Sequence, residues 1–174
     1  MYELRELERE DVPEVNGWRR ERDLVSFLGA PYRYIGPEVD GDWFDAYLSH
    51  RATTVRCAVV DSKDPGTILG LVTLANIDWV HRSTELHVMV GRREDRGRGI
   101  GTFAVREMLS HAFLDLGLHR VELDALADNS RAIHVYERAG FVREGVRREA
   151  VFKGGRWIDL VHMAILVDEW VRAH

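Results

Sequence analysis

The stretch Arg96-Gly-Arg-Gly-Ile-Gly101 lies between a predicted strand and the most regular helical pattern of the chain. Its glycines allow backbone N–H groups to approach an anion closely, and a helix N-terminus adds a favourable dipole. Arginine matches phosphate oxygens in a bidentate way, and four arginines surround the loop: Arg92, Arg93, Arg96 and Arg98. The stretch therefore predicts a phosphate or pyrophosphate site. A solvated glycine-rich turn is the alternative, because all but two of the 24 basic residues are arginine.

Two common nucleotide-binding motifs do not fit this loop. A P-loop requires Gly-Lys-Ser/Thr, and a Rossmann Gly-x-Gly-x-x-Gly motif requires glycine where this chain has Thr102. The predicted anion site therefore belongs to neither a P-loop fold nor a Rossmann fold.

The segments on either side of the loop have clear periodicities. Apolar residues recur at spacings of three and four after Gly99, which predicts a helix that begins there and ends at Gly117. Before the loop, Ser83 to Val90 is a predicted strand. Strand alternation divides it into two faces, one with Glu85, His87 and Met89, the other with Leu86, Val88 and Val90.

The remaining segments predict alternating strands and helices, with one long loop from Leu28 to Asp42. Predicted strands are Met1 to Leu7, Thr54 to Val60, Thr67 to Ile77, His119 to Leu126, Phe141 to Phe152 and Arg156 to Val167. Predicted helices follow Asp11 and span Trp43 to His50 and Asn129 to Ala139. Predicted hairpin turns lie at Asp61 to Gly66 and at Gly154-Gly155. The order indicates a mixed α/β protein.

Composition narrows the class of protein. A chain of 174 residues favours one domain, residues 1–174, and 45% hydrophobic with 30% charged residues excludes disordered, collagen-like and membrane classes. The net charge of −5 argues against a nucleic-acid-binding surface. Cys57 is the single cysteine, so we expect core packing rather than a disulfide. Without a secretory signal or a run of about 20 apolar residues, we expect a cytoplasmic protein with no membrane partner.

A second motif, Asn129-Ser-Arg-Ala-Ile-His-Val-Tyr136-Glu-Arg-Ala-Gly140-Phe141, describes a short capped helix. Asn129 is a natural N-cap. On its own, Tyr136 is more simply explained as a helix residue whose ring packs in the core and whose hydroxyl lies at its edge.

The two motifs together resemble the GNAT superfamily of acetyl-CoA-dependent N-acetyltransferases. The resemblance implies a single-domain fold with a central mixed, mostly antiparallel sheet, splayed strands and flanking helices. Three further segments resemble the branch of spermidine N-acetyltransferases and ribosomal-protein N-terminal acetyltransferases. They are Ile77-Asp-Trp-Val-His-Arg-Ser-Thr-Glu85-Leu, Leu118-His-Arg-Val-Glu-Leu and Gly154-Gly-Arg-Trp-Ile-Asp159-Leu-Val-His-Met.

The resemblance also implies roles for individual residues. Acetyl-CoA is the implied co-substrate, with no metal, and its pyrophosphate is held through backbone N–H groups of the loop. The implied cofactor-binding residues there are Arg96, Gly97, Arg98, Gly99, Gly101 and Thr102. Val88 and Val90 border the pantetheine arm, the Met89 N–H polarises the thioester carbonyl, and Asn129 contacts the cofactor arm. Tyr136 matches the general acid that protonates the departing thiolate.

The implied mechanism is direct attack by a neutral amine, which also requires a proton acceptor. Glu85 is the first choice and His87 the second, because both share a strand face near the thioester. An ion pair between Glu85 and an arginine, or a hydrogen-bonded His87 at a strand edge, is the structural alternative. The serines and Cys57 lie in no nucleophile motif, and the histidines lack the spacing of metal ligands.

The acceptor is predicted from an acidic, aromatic segment: Tyr32, Tyr34, Glu38, Asp40, Asp42, Trp43, Phe44 and Asp45. Such residues favour a cationic small-molecule amine such as a polyamine or an amino sugar, whereas a merely solvated loop and helix start is the alternative. A protein N-terminus as acceptor and a non-catalytic CoA-binding module remain open. Strand edges near Phe141 to Val167 predict a homodimer.

Overall fold

One mixed sheet of seven strands organises the computed structural model, which describes residues 1–173. The strands follow the order β1-β2-β3-β4-β5-β7-β6, and every neighbouring pair is antiparallel except β4 and β5, which are parallel. Their bounds are β1 Tyr2–Glu6, β2 Val55–Asp61, β3 Asp64–Asp78, β4 Ser83–Val90, β5 Arg120–Leu126, β6 Val142–Lys153 and β7 Arg156–Leu166. This confirms the mixed, mostly antiparallel sheet.

Six α-helices flank the sheet within residues 1–173. They are α1 Val12–Arg19, α2 Arg22–Ser26, α3 Pro37–Ser49, α4 Ile100–Ser110, α5 Ser130–Arg138 and α6 Val167–Ala173. A π-helical turn continues α4 to Asp115, and Gly117 follows with φ +63°, as predicted for the residue that ends this helix. None of these helices is long and apolar enough to cross a membrane.

The predicted loop from Leu28 to Asp42 is wrong in its second half, since α3 already begins at Pro37. Proline is well suited to the first position of a helix, and acidic residues in the first turn complement the helix dipole. Gly41, which suggested a loop, lies inside α3. The helices α2 and α6 have no counterpart among the predicted elements, because each is too short to show an amphipathic period.

The helices cover the two faces of the sheet with separate clusters of buried residues. One cluster joins α4 to the central strands and includes Leu86 and Val105, and the partly buried Val88 and Val90 pack against it. The other joins α1 and α3 to the opposite face, and Met89 packs against it. The predicted division of β4 into two faces is therefore confirmed, and Cys57 packs with the first cluster as expected.

The strands β4 and β5 separate soon after they meet. They pair only from Ser83 to Glu85 on β4 and from Arg120 to Glu122 on β5, although both strands continue beyond. This confirms the splayed strands. The divergence opens the sheet next to the N-terminus of α4, which is where the predicted anion-binding loop lies.

Candidate active site

A cleft of about 1790 Å³ extends from the gap between β4 and β5 to the start of α4 and to α5. It brings together residues that are far apart in sequence, including Glu85, the β4 edge, the glycine loop and Tyr136. Of the twelve site residues predicted from sequence, eleven line it: Glu85, Val88, Met89, Val90, Arg96, Gly97, Gly99, Gly101, Thr102, Asn129 and Tyr136.

The glycine loop has a conformation that favours glycine at two positions. Gly97 and Gly99 have φ values of +89° and +84°, which side chains rarely adopt. Gly99 precedes α4, and no side chain caps this helix N-terminus. The first backbone N–H groups of a helix lack partners within the helix, so those of Gly101 and Thr102 are available to an anion. The loop therefore presents free backbone donors at a helix N-terminus, as the predicted anion site requires.

The arginines within the loop are held by the chain itself. Arg96 lies 3.1 Å from Asp23 and is mostly buried, with 16% of its side chain exposed. Arg98 donates to Asp95 at 2.8 Å and does not line the cleft. The Arg98 guanidinium therefore does not reach the cleft, because it already has a carboxylate partner three residues away, whereas the predicted contact of this loop with the pyrophosphate runs through backbone N–H groups.

Three other arginines of the cleft wall make no ion pair within residues 1–173, namely Arg56, Arg93 and Arg131. A Cβ atom at Gly97 would lie 2.8 Å from Nη2 of Arg131, so this guanidinium lies directly against the loop. Sequence analysis missed Arg131. Its signal was its place in the first turn of the helix that Asn129 caps, where the side chain of Asn129 accepts from the Ala132 N–H at 3.1 Å.

Tyr136 lies on α5 with its ring packed against Phe141, at a centroid distance of 5.8 Å. Burial raises the pKa of Tyr136 to about 12, because a phenolate would lose its hydration. The hydroxyl therefore stays protonated at neutral pH. The position of Tyr136 fits both the packing and the catalytic interpretation, because its ring packs against the core and the residue also lines the cleft.

Glu85 is held from two sides. Its Oε1 accepts from Nδ2 of Asn76 at 3.2 Å, and its Oε2 lies 3.6 Å from Nε2 of His87. Asn76 occupies a bulge of β3 with φ +53°, which turns its amide toward β4. No arginine pairs with Glu85 in the described part of the chain, so the arginine ion pair offered as the alternative is absent.

The acidic run that predicted a cationic acceptor does not reach the cleft. Asp40 is fully buried and pairs with Arg19 and Asn16, and Asp45 pairs with Arg9. None of the four carboxylates from Glu38 to Asp45 lines the cleft. The physical reason is that α3 begins at Pro37, which turns this run into helix residues that bind to α1 and its flanks.

The aromatic residues of that segment are also partly occupied. The ring of Tyr32 lies 4.1 Å from the guanidinium carbon of Arg22, and Tyr34 lies 5.6 Å from it. Trp43 does line the cleft, and its ring lies 4.1 Å from the guanidinium carbon of Arg56. Arg56 is a further cleft residue that sequence analysis missed.

Other carboxylates line the cleft along β5 and β6, and each has a basic partner. Arg120 contacts Glu122 and Glu144 at 2.8 Å each. Asp124 lies 2.8 Å from Arg147 and 2.8 Å from Nδ1 of His162. Within residues 1–173, no group of three or more histidine, cysteine or acidic side chains is arranged to hold a metal ion.

Comparisons with known proteins give one consistent family. The model of the acetyltransferase (GNAT) domain matches residues 2–142. The spermidine N(1)-acetyltransferase of Vibrio cholerae is 30% identical over 169 residues, covering 97% of this chain and 94% of that protein. The putative ribosomal N-acetyltransferase YdaF of Bacillus subtilis is 36% identical over 105 residues, 60% of this chain and 57% of that protein.

The fold agrees with that of a solved structure. The crystal structure of spermidine N-acetyltransferase from Vibrio cholerae in complex with CoA and spermine superposes with a TM-score of 0.90. The two chains are 29% identical, and the match covers 98% of each.

Proposed function

The chain belongs to the GNAT acetyltransferase family, and on that premise we propose that it transfers the acetyl group of acetyl-CoA to the primary amine of a small molecule. One observation carries the proposal. A single cleft joins an anion-binding loop, a separated strand edge, a carboxylate and a protonated tyrosine. These are the parts that amine acetylation requires: a place for the phosphates, a place for the thioester, a base and an acid.

The phosphates of acetyl-CoA would bind at the glycine loop. The backbone N–H groups at the start of α4 and the guanidinium groups of Arg93 and Arg131 provide donors and positive charge there. The pantetheine arm would follow β4 past Val88 and Val90, where β5 has already diverged. Asn129 borders the same part of the cleft.

The reaction needs no covalent enzyme intermediate. Glu85 takes a proton from the ammonium group, directly or through water, and the neutral nitrogen attacks the thioester carbonyl, whose oxygen is polarised by the Met89 N–H. The C–N bond forms and leaves a positive charge on the nitrogen, the C–S bond breaks, and Tyr136 gives its proton to the departing thiolate. The nitrogen then loses its second proton, directly or through water, to the Tyr136 phenolate, and Glu85 releases the first proton to solvent, which restores both groups. Because the pKa of Tyr136 is about 12, the tyrosine is an acid that retains its proton at every working pH.

The acceptor is tested with a broad panel of amines. The Vibrio relative is named for spermidine, and YdaF is named as a putative ribosomal enzyme, so polyamines, amino sugars, amino acids and short peptides are all included. The measurement is release of free CoA thiol from acetyl-CoA. Turnover of small amines supports the proposal. Turnover of peptides alone supports a protein N-terminal acetyltransferase, and binding of acetyl-CoA without any turnover supports a non-catalytic module.

Glu85→Gln tests the proposed base. At low pH the acceptor amine is protonated and needs a base, whereas at pH values above its own pKa it is already largely neutral. We therefore expect the loss of kcat to be greatest at low pH and to shrink as the pH rises. The pH profiles of kcat for the two proteins are compared on one amine. Parallel profiles would remove Glu85 as the base, and the same experiment with His87→Gln tests the second choice.

We also propose a cytoplasmic homodimer. The dimer is supported by β6, which is an edge strand of the sheet. Its residues 142–150 are all exposed, and its outer edge has no neighbouring strand within one chain. The cytoplasmic assignment is supported by the single cysteine, Cys57. Light scattering is expected to give twice the chain mass of 20.0 kDa, and a monomer at working concentration would contradict this.

A further inference from the structure

Arg56 is a cation inside the cleft that the chain itself does not neutralise. Its Nε and Nη1 atoms are buried without a hydrogen-bond partner in the described residues, the only side-chain atoms there of which this is true. The guanidinium lies against the rings of Trp43 and Tyr47, at 4.1 Å and 5.0 Å. An enclosed guanidinium without acceptors is costly, so its retention calls for a partner that the chain does not provide.

Among residues 1–172, whose side chains the structure describes, no carboxylate forms an ion pair with Arg56. The pKa of Arg56 is lowered to about 10, mainly by burial; Tyr47 opposes this shift and Arg19 adds to it. Arg19 has its own partner in the buried Asp40. Arg147, on the β6 side of the cleft, is paired with Asp124. One positive charge is therefore left over at this end of the cleft.

The position of Arg56 places it toward the acceptor and away from the phosphates. Arg56 pairs with Thr73 on β3, and Thr73 pairs with His87 on β4, so the three residues share a face and all line the cleft. Two strand spacings of about 4.8 Å separate β2 from β4. The two guanidinium groups at the cofactor end belong to Arg93, in the short 3-10 turn before the glycine loop, and to Arg131 on α5.

We propose that Arg56 binds a carboxylate group of the acceptor, so that the chain acetylates amines that also carry a carboxylate. This inference rests on the proposed function and narrows its substrate class. A single uncompensated positive charge matches the single negative charge of a carboxylate, and the planar guanidinium presents donors in the geometry that a carboxylate accepts. Polyamines have no such group, and the inference therefore distinguishes this acceptor from that named for the Vibrio relative.

The test uses matched acceptors that differ only in the carboxylate: lysine against cadaverine, and ornithine against putrescine. We expect kcat/KM to be at least about tenfold higher for the amino acid of each pair, the equivalent of one charged hydrogen bond. Arg56→Gln is expected to reduce that ratio to about one, mainly through KM, and Arg56→Lys to restore part of it. The affinity for acetyl-CoA should not change in either variant.

Arg22→Gln is the matched control, because Arg22 also stacks on an aromatic ring at 4.1 Å but does not line the cleft. It should leave the ratio unchanged. A ratio that survives Arg56→Gln, or a wild-type preference for the diamines, would overturn the carboxylate subsite while leaving acetyl transfer intact.

A binding measurement keeps the two proposals separate. Lysine, added with CoA, is expected to raise the melting temperature of the wild-type chain more than cadaverine does, and Arg56→Gln should abolish the difference. If the wild-type chain shows this difference in melting temperature but acetylates no amine of the panel, the result would support the carboxylate subsite and refute the proposed function. Equal shifts with lysine and cadaverine would refute the subsite.

Discussion

Replacing Tyr136 by phenylalanine is expected to lower kcat about 10²- to 10⁴-fold while leaving the affinity for acetyl-CoA unchanged. The substitution removes only the hydroxyl, and the ring contact with Phe141 is retained. A thiolate that leaves without receiving a proton is a poor leaving group, so the loss belongs to the transition state. The measurement is steady-state kinetics of thiol release together with the dissociation constant of acetyl-CoA.

The pKa of Tyr136 gives this prediction a second, independent readout. An acid must be protonated to act, and a group with a pKa of about 12 remains protonated until the pH approaches that value. We therefore compare the pH profiles of the two rates below about pH 10. The wild-type profile should contain no decrease there that is absent from the profile of Tyr136→Phe. A decrease near neutral pH that disappears in the variant would mean that the tyrosine titrates there and that burial does not protect its proton.

Tyr34→Phe is the control for loss of a tyrosine hydroxyl. Tyr34 is 87% exposed, and its hydroxyl contacts Arg22 at 2.9 Å, outside the cleft. The kcat of the Tyr34→Phe variant should equal that of the wild type. An unchanged kcat in Tyr136→Phe would refute the general-acid assignment, and a matching loss of acetyl-CoA affinity would assign the residue to cofactor binding instead.

Replacing Gly99 by valine is expected to weaken acetyl-CoA binding at least about 100-fold, the equivalent of losing two charged hydrogen bonds from backbone N–H groups to phosphate. Gly99 has φ +84°, a conformation that a β-branched residue can adopt only with strain. Apart from its immediate chain neighbours, no atom of the described residues lies within 4 Å of a Cβ built there. The effect therefore comes from reshaping the loop and from placing a side chain where the phosphates bind.

Gly155→Val separates loop geometry from general strain. Gly155 has φ +80° and open space around a Cβ, as Gly99 does, but it lies in the turn between β6 and β7. Both variants should lose stability, whereas only Gly99→Val should lose affinity in calorimetric titration with acetyl-CoA. Equal affinities for the two variants would refute the phosphate cradle.

The elements next to the cleft follow from local sequence. The apolar period after Gly99 predicts α4, the alternation of Ser83 to Val90 predicts the two faces of β4, and Asn129 predicts the start of α5. In each case the residues that determine the conformation lie within a few positions of one another. The glycine loop belongs to this group, because its positive φ values are a property of the glycines themselves.

Charge pairing could not be predicted in this way. Arg96 pairs with Asp23, which is 73 residues away, and Asp40 is buried against Arg19, 21 residues before it. A sequence shows how many charges a chain has, and the order of strands and helices decides which of them meet. For this reason the acidic run from Glu38 to Asp45 predicted a site for a cationic acceptor, although the folded chain uses Asp40 and Asp45 for its own ion pairs.

The sequence by itself therefore determined the family and the backbone conformation of the glycine loop, and it predicted Tyr136 as the acid and Glu85 as the base, because these inferences depend on local spacing and conformation. Only the tertiary structure decided which cations remain unpaired. It turned Arg98 toward Asp95, brought Arg131 to the loop, and left Arg56 inside the cleft without a carboxylate. The physical reason is that solvation and pairing of a charge depend on everything around it in space, and neighbours in space come from the whole length of the chain.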